Sequence, residues 1–386
     1  MGASPRVLVV GLGAAGAATL LALARRGIRC EGIDRFSPPH DRGSSHGLSR
    51  LIRLCYYEHP DYVPLLRESY ALWATLQSQW ARPILRITGG LYVGTPTDPF
   101  IEGSRQSAVT HRLAHEVLSR ATVAERYPQF RLRDDEVGFH EPTTGVLFPE
   151  EAIAAQLAVA STLGATIHRD ERVLEWTGAS DGIKVATDRR RLTVDAMIVA
   201  AGPWASTLVP QLAGTLRVTR QVLAWFRPHD PAGLAAGVMP AWAISEPDGS
   251  AHYGFPMFET LSGETMPPGG PGFKLALHKQ GDPAEPESLD RTVRADEVRE
   301  LVQFLRDRIP GAIDATGTLL DAKVCMYTNT PDQHFLVDKH PQDPRVVVVS
   351  ACSGHGFKLS PAIGAAAADL ATRGATELPV GFLRWR

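Results

Sequence analysis

Arg6-Val-Leu-Val-Val-Gly11-Leu-Gly13-Ala-Ala15-Gly16-Ala-Ala-Thr-Leu-Leu-Ala-Leu-Ala-Arg-Arg26, followed after a short turn by Cys30-Glu-Gly-Ile-Asp34, is the stretch that decides the fold. An apolar run over Arg6 to Val10 predicts a buried strand, Gly11 to Gly16 a tight turn, Ala17 to Arg26 a helix, and Cys30 to Asp34 a second strand. Strands apolar on both faces suit a parallel sheet covered by helices, so the chain opens as a βαβ unit. Gly11 lets the backbone leave the strand sharply, Gly13 lets it approach a phosphate, and Gly16 lets the helix pack on the strand. The unpaired amides and dipole at the helix N-terminus, Ala15 among them, favour a pyrophosphate. Asp34 lies about 20 residues beyond the turn, where a carboxylate accepts hydrogen bonds from ribose hydroxyls. These residues specify a dinucleotide and leave NAD and FAD equally open.

Outward from this unit, Ala71 to Gln79 reads as helix and Ile84 to Val93 alternates as strand, punctuated by Gly89 and Gly90. A second α/β signature follows: helix Glu150 to Leu163, a turn at Gly164, strand Thr166 to Arg169, and the apolar run Asp195 to Gly202. Arg345 to Ser350 reads as another buried strand and Pro361 to Thr372 as a helix. Between about residues 217 and 313 prolines recur among short alternating strands such as Gln221 to Phe226, which suits an antiparallel sheet. The expected fold class is α/β plus α+β: a discontinuous Rossmann-like domain from 1–85, 145–215 and 315–386, and a mixed or antiparallel-sheet substrate domain from 86–144 and 216–314.

A chain of 386 residues is long enough for two domains, and its net charge of -2 gives no general attraction for nucleic acid or anionic membrane. Cys30, Cys55, Cys325 and Cys352 are scattered without zinc-site or disulfide-framework spacing, so no metal is expected and a reducing, cytoplasmic location is. No apolar run reaches the roughly 18 residues of a membrane span.

Three further motifs stand in order along the chain: Arg35-Phe-Ser-Pro-Pro-His-Asp-Arg-Gly-Ser44-Ser-His46-Gly-Leu-Ser-Arg50-Leu-Ile-Arg53, then Cys325-Met326-Tyr327-Thr, then Ser353-Gly354-His-Gly356-Phe357-Lys358. Together they closely resemble the monomeric sarcosine oxidase family, which includes N-methyltryptophan and pipecolate oxidases, and the likeness covers nearly the whole chain. The resemblance implies a monomeric FAD enzyme that oxidises a secondary or N-methylated amine, passes a hydride to the flavin and returns electrons to O2 as hydrogen peroxide. It implies cofactor contacts at Arg35, Ser44, His46, Arg50, Val173, Gly202, Trp204, Cys325, Met326, Gly354, Gly356, Phe357 and Lys358. Cys325 matches the cysteine that forms a thioether to the flavin. His46 and Arg50 match residues against the flavin, and Lys274 matches the lysine that promotes reaction with oxygen. A fixed cation there stabilises the charge that oxygen acquires with its first electron. Arg53 and Lys358 match the pair that holds the substrate carboxylate, a planar fork plus a compact charge. Tyr253, His278 and Tyr327 match residues that line the substrate cavity and position the amine.

The chain departs from the family in three places. Phe258 to Pro268 is an insertion expected to act as a lid; Tyr57 stands where a small residue is expected; and the Ala243 region lacks a methionine that caps the small-amine cavity. Sarcosine and a larger or cyclic N-substituted amino acid both remain candidate substrates. A flavin dehydrogenase using another acceptor and a flavin-binding protein without chemistry are the alternatives.

Overall fold

A computed structural model describes residues 5–258, 270–279, 281–350 and 353–385. The opening unit forms as its sequence predicts: strand Val7–Val10, helix Ala14–Arg25 and strand Cys30–Ile33, with every residue of both strands buried. Val7–Val10 lies in the middle of a six-stranded sheet ordered Leu336–His340, Asp343–Ser350, Ala196–Val199, Val7–Val10, Cys30–Ile33 and Thr166–His168. All neighbours run parallel except the first pair, which is antiparallel. Helices Ala14–Arg25, Tyr62–Gln77, Pro149–Thr162 and Ser360–Arg373 share one core with one sheet face, through residues such as Leu20, Trp73, Leu157 and Ala366. A three-stranded sheet, Val173–Ala179, Gly182–Thr187 and Arg191–Val194, covers the other face through Val173, Ile183 and Val185. Gly16 is required by close approach, since a Cβ there would lie 1.7 Å from Gly11 O.

The second sheet has eight strands, ordered Leu319–Asn329, Arg217–Phe226, Phe273–His278, Ala251–Gly254, Ala241–Ser245, Gly90–Gly94, Val137–Glu141 and Glu116–Leu118. It is antiparallel except where Ala241–Ser245 runs parallel to Gly90–Gly94. One face is covered by the amphipathic helix Ala295–Arg308, whose Leu301, Phe304 and Leu305 pack with Trp242 and Phe273.

Three differences from the sequence reading have local causes. Ile84 to Val93 is not one strand: Gly89, at φ +69°, breaks it into Leu85–Ile87 and Gly90–Gly94, which join different sheets. The helix expected at Ala71 begins earlier, at Tyr62, because Pro64 falls in its first turn, where a missing amide donor costs nothing. Leu319–Asn329, grouped by sequence with the dinucleotide-binding segments, is hydrogen-bonded to Arg217–Phe226 and forms the edge of the second sheet, which sets Cys325 opposite Gln221. Of the expected lid, Phe258 packs edge-on against Phe148, and residues 259–268 lie outside the described residues.

Candidate active site

One continuous cavity runs from the glycine turn, between the two sheets, to an inner end on the second sheet. Of the cofactor contacts expected from sequence, Gly11, Gly13, Ala15, Asp34, Arg35, Ser44, Arg50, Val173, Gly202, Trp204, Cys325, Met326, Gly354, Gly356, Phe357 and Lys358 line it. Gly16 and His46 do not; Gly16 packs the helix on the strand, and His46 is buried behind the wall with only 2% exposure.

At the outer end, helix Ala14–Arg25 starts without a side-chain cap or an acidic residue in its first turn. Ala14 N donates to Ser45 Oγ at 3.2 Å, and the dipole with the amides that follow is available to an anion. A Cβ on Gly13 would touch only Ser45 Oγ, at 3.4 Å, so this turn is open toward the cavity. Asp34 holds the turn in place, accepting Leu12 N at 2.7 Å and Phe36 N at 2.9 Å. Carboxylate oxygens have further lone pairs for a ribose. Arg35 lies 4.9 Å from the ring centroids of both Phe36 and Trp204 and pairs with Glu287 at 2.7 Å. Ser44 Oγ, on the cavity wall, is buried without a partner among the described residues. A dinucleotide offers what these groups lack, so the residues present fit the cofactor that the motifs imply.

Midway, the loop from Ser44 to Arg50 forms the wall. Arg50 donates to the carbonyls of Ser49 at 2.9 Å, Ser44 at 3.0 Å and His46. Lys274, only 4% exposed, does not line the cavity; it lies behind this loop, donating to Gly47 O and, at 2.9 Å each, to Ser49 O and Ser49 Oγ. Burial above all, with the nearby Arg50 charge, holds the Lys274 ammonium well below the ordinary lysine range. His46 is pushed well below the usual histidine range, first by burial and then by Arg50. Burial raises the Cys325 thiol, and the charges of Arg50 and Lys274 oppose that rise.

The inner end brings together Arg53, Tyr57, Glu58, Phe100, Ala243, Tyr253, His278, Tyr327 and Lys358. His278 Nδ1 lies 3.3 Å from Tyr327 OH. Burial pushes His278 down to about 4, so its imidazole is neutral at physiological pH, and burial raises both the Tyr253 and the Tyr327 phenol. Arg53 is enclosed by aromatic rings, its guanidinium carbon 4.6 Å from the Tyr57 centroid and 5.4 Å from that of Phe100. It pairs with Glu58 at 2.8 Å, and its Nε has no partner among the described residues.

Lys358 Nζ donates to His355 O at 2.9 Å and sits 5.0 Å from the Tyr56 ring centroid. Burial, with Arg53 and Arg50 adding to it against Glu58, pushes its ammonium down to about 7. Binding a carboxylate favours the charged form, raising this value in the complex. Carboxylate affinity is therefore complete below about pH 7 and falls by up to about tenfold per pH unit above it. Titrating the holoenzyme with acetate at several pH values checks this. Lys358→Met should flatten the profile, and an unchanged slope in that variant would assign it to another group.

Glu58 and Phe100 are cavity residues for which sequence offered no role, and Tyr57, marked in the sequence only as a departure from the family, lines the cavity with them. Glu58, five positions after Arg53, is the one whose proximity was visible. Glu141 supports the same loop from behind, accepting Leu54 N at 2.6 Å and Cys55 N at 3.1 Å.

Residues 6–370 match the family described as FAD dependent oxidoreductase. The monomeric sarcosine oxidase of Streptomyces avermitilis is 38% identical over 97% of this chain and 96% of its own length. An N-methyl-L-tryptophan oxidase of Yersinia pestis is 30% identical over 94% of this chain and 93% of its own. Among solved structures, NikD, an amino acid oxidase of nikkomycin biosynthesis, superposes with a TM-score of 0.83 at 26% identity, covering 99% of this chain and 97% of that one.

Proposed function

The chain belongs to the FAD-dependent oxidoreductases, and we propose that it is an amine oxidase acting on a secondary or N-methylated amino acid. The observation that carries this reading is the single cavity joining a dinucleotide-binding turn to a buried Arg53 and Lys358 beside a neutral His278. The segments 1–85, 145–215 and 330–386, with Cys325 and Met326 from the edge strand of the second sheet, hold the FAD, and 86–144 with 216–329 form the substrate half. When bound, the flavin supplies the hydride acceptor and passes the electrons to O2, yielding hydrogen peroxide.

The chain's own residues place the substrate. Arg53 and Lys358 take its carboxylate, the Tyr57 and Phe100 rings exclude water around that pair, and Tyr253, Tyr327 and His278 face the amine. With the His278 imidazole neutral and both phenols raised, none of the three is a strong base at neutral pH. Placement in a near-attack geometry is their contribution. The imine product then hydrolyses in water. The protein acts as a monomer in the cytoplasm.

Cys325 is the attachment point of the flavin. It lines the cavity together with Arg50 and Met326, and its thiol is free. Denatured protein run on a gel should carry flavin fluorescence, and Cys325→Ala should release the flavin to the dye front. Free flavin from the wild type would contradict the linkage while leaving FAD dependence intact.

A further inference from the structure

Leu48 adopts φ +69°, and across it Ser49 N donates to Gly47 O at 2.8 Å. This is a γ-turn with a positive central φ, the rarer and strained form. For a residue with a Cβ, that region is disfavoured by roughly tenfold. Gly47 before it has φ +101°, and a Cβ there would lie 2.3 Å from Leu223 Cδ1. Strain of this kind persists only where surroundings enforce it.

Charged side chains from three elements enforce it. Glu150, in the first turn of helix Pro149–Thr162, accepts Gly47 N at 2.7 Å and Leu48 N at 3.2 Å with each carboxylate oxygen. From the other side Lys274 takes the carbonyls of Gly47 and Ser49, while Arg50 takes those of Ser44, His46 and Ser49. The amides thus face an anion and the carbonyls face two cations, an arrangement that needs this backbone conformation. Glu150 is not among the residues lining the cavity, so its influence on the cavity passes through the turn.

We propose that Glu150 is a positioning residue for the flavin reaction: by binding the Gly47 and Leu48 amides it maintains the strained turn whose carbonyls fix Arg50 in the cavity wall and Lys274 behind it. The inference rests on the amine oxidase reading given above. Without Glu150, Leu48 relaxes to negative φ, the Gly47–Leu48 peptide rotates, and Gly47 O leaves Lys274. The competent arrangement then falls to about a tenth of its population, and the rate falls with it.

The test uses holoenzyme whose flavin is reduced photochemically, without amine, and then mixed with O2. Glu150→Ala should slow reoxidation about tenfold and shift the visible flavin band. Glu150→Gln, which keeps an acceptor oxygen, should do less of both. Adding Leu48→Gly to Glu150→Ala should restore most of the rate and the band, because glycine has no penalty at positive φ. A wild-type rate with an unchanged band in Glu150→Ala overturns the proposal, as does slowing that Leu48→Gly does not relieve. Slow reoxidation of the wild type itself would count against the oxidase reading, while the band shift and its rescue would still decide the role of Glu150.

Discussion

Arg53→Ala should weaken binding of carboxylate-bearing amines by roughly 10²–10³-fold and, separately, lower stability by about 3–5 kcal/mol. The two effects have different origins. The first is loss of the planar fork that receives the substrate carboxylate. The second arises because Glu58, with a side chain 9% exposed, would remain in the cavity wall without its 2.8 Å partner. Truncating one member of a buried pair leaves an uncompensated charge. Adding Glu58→Gln should recover most of the stability and none of the affinity. Binding is read from flavin spectral titration and stability from thermal unfolding of the holoenzyme. Unchanged affinity in Arg53→Ala would move the substrate carboxylate away from Arg53, and persistent instability in the double variant would give Arg53 a packing role instead.

Lys274→Met should slow reoxidation of the reduced flavin by roughly 10²–10³-fold, and slow its reduction by amine far less. The ammonium sits behind the loop and donates to Gly47 O, Ser49 O and Ser49 Oγ, so it acts as fixed charge held by three acceptors. Burial already holds it well below the ordinary lysine range, and those acceptors favour its charged form. Methionine fills the volume and takes a donor from Ser49 Oγ, while Ser49 O keeps Arg50, a loss of about 1–3 kcal/mol in stability. Stopped-flow measurement of the two half-reactions separates these contributions. Equal slowing of both would mean that Lys274 maintains the loop and has no specific part in the reaction with oxygen.

The opening βαβ unit was legible because every signal in it is local: four apolar residues, a glycine turn and an alanine-rich helix adjoin in sequence. The end of each element was set by neighbours, as at Gly89, where one residue with positive φ sends Leu85–Ile87 and Gly90–Gly94 into different sheets. Motif resemblance pointed to Arg53, Tyr253, His278, Tyr327 and Lys358, and the fold brings all five to one cavity end. What it could not supply were the contacts made at long range. Glu150 meets Gly47 across about a hundred residues of sequence, and nothing in either segment announces the other. Lys274, matched by resemblance to the lysine that promotes reaction with oxygen, does not line the cavity but donates to the carbonyls of the strained turn from behind the wall, a placement its own segment does not announce. Glu58 was hidden for another reason: an acidic residue a few positions after an arginine reads as solvated surface until burial shows otherwise.

In the proposed reaction the flavin is reduced by a secondary amine whose carboxylate is held by Arg53 and Lys358. Anaerobic mixing of the holoenzyme with paired N-methyl amino acids and their carboxamides, followed by flavin absorbance, tests it most directly. Bleaching by at least one N-methyl or cyclic amino acid, and far slower bleaching by its carboxamide, is the expected result. Equal bleaching by both, or none by any secondary amino acid, would contradict it.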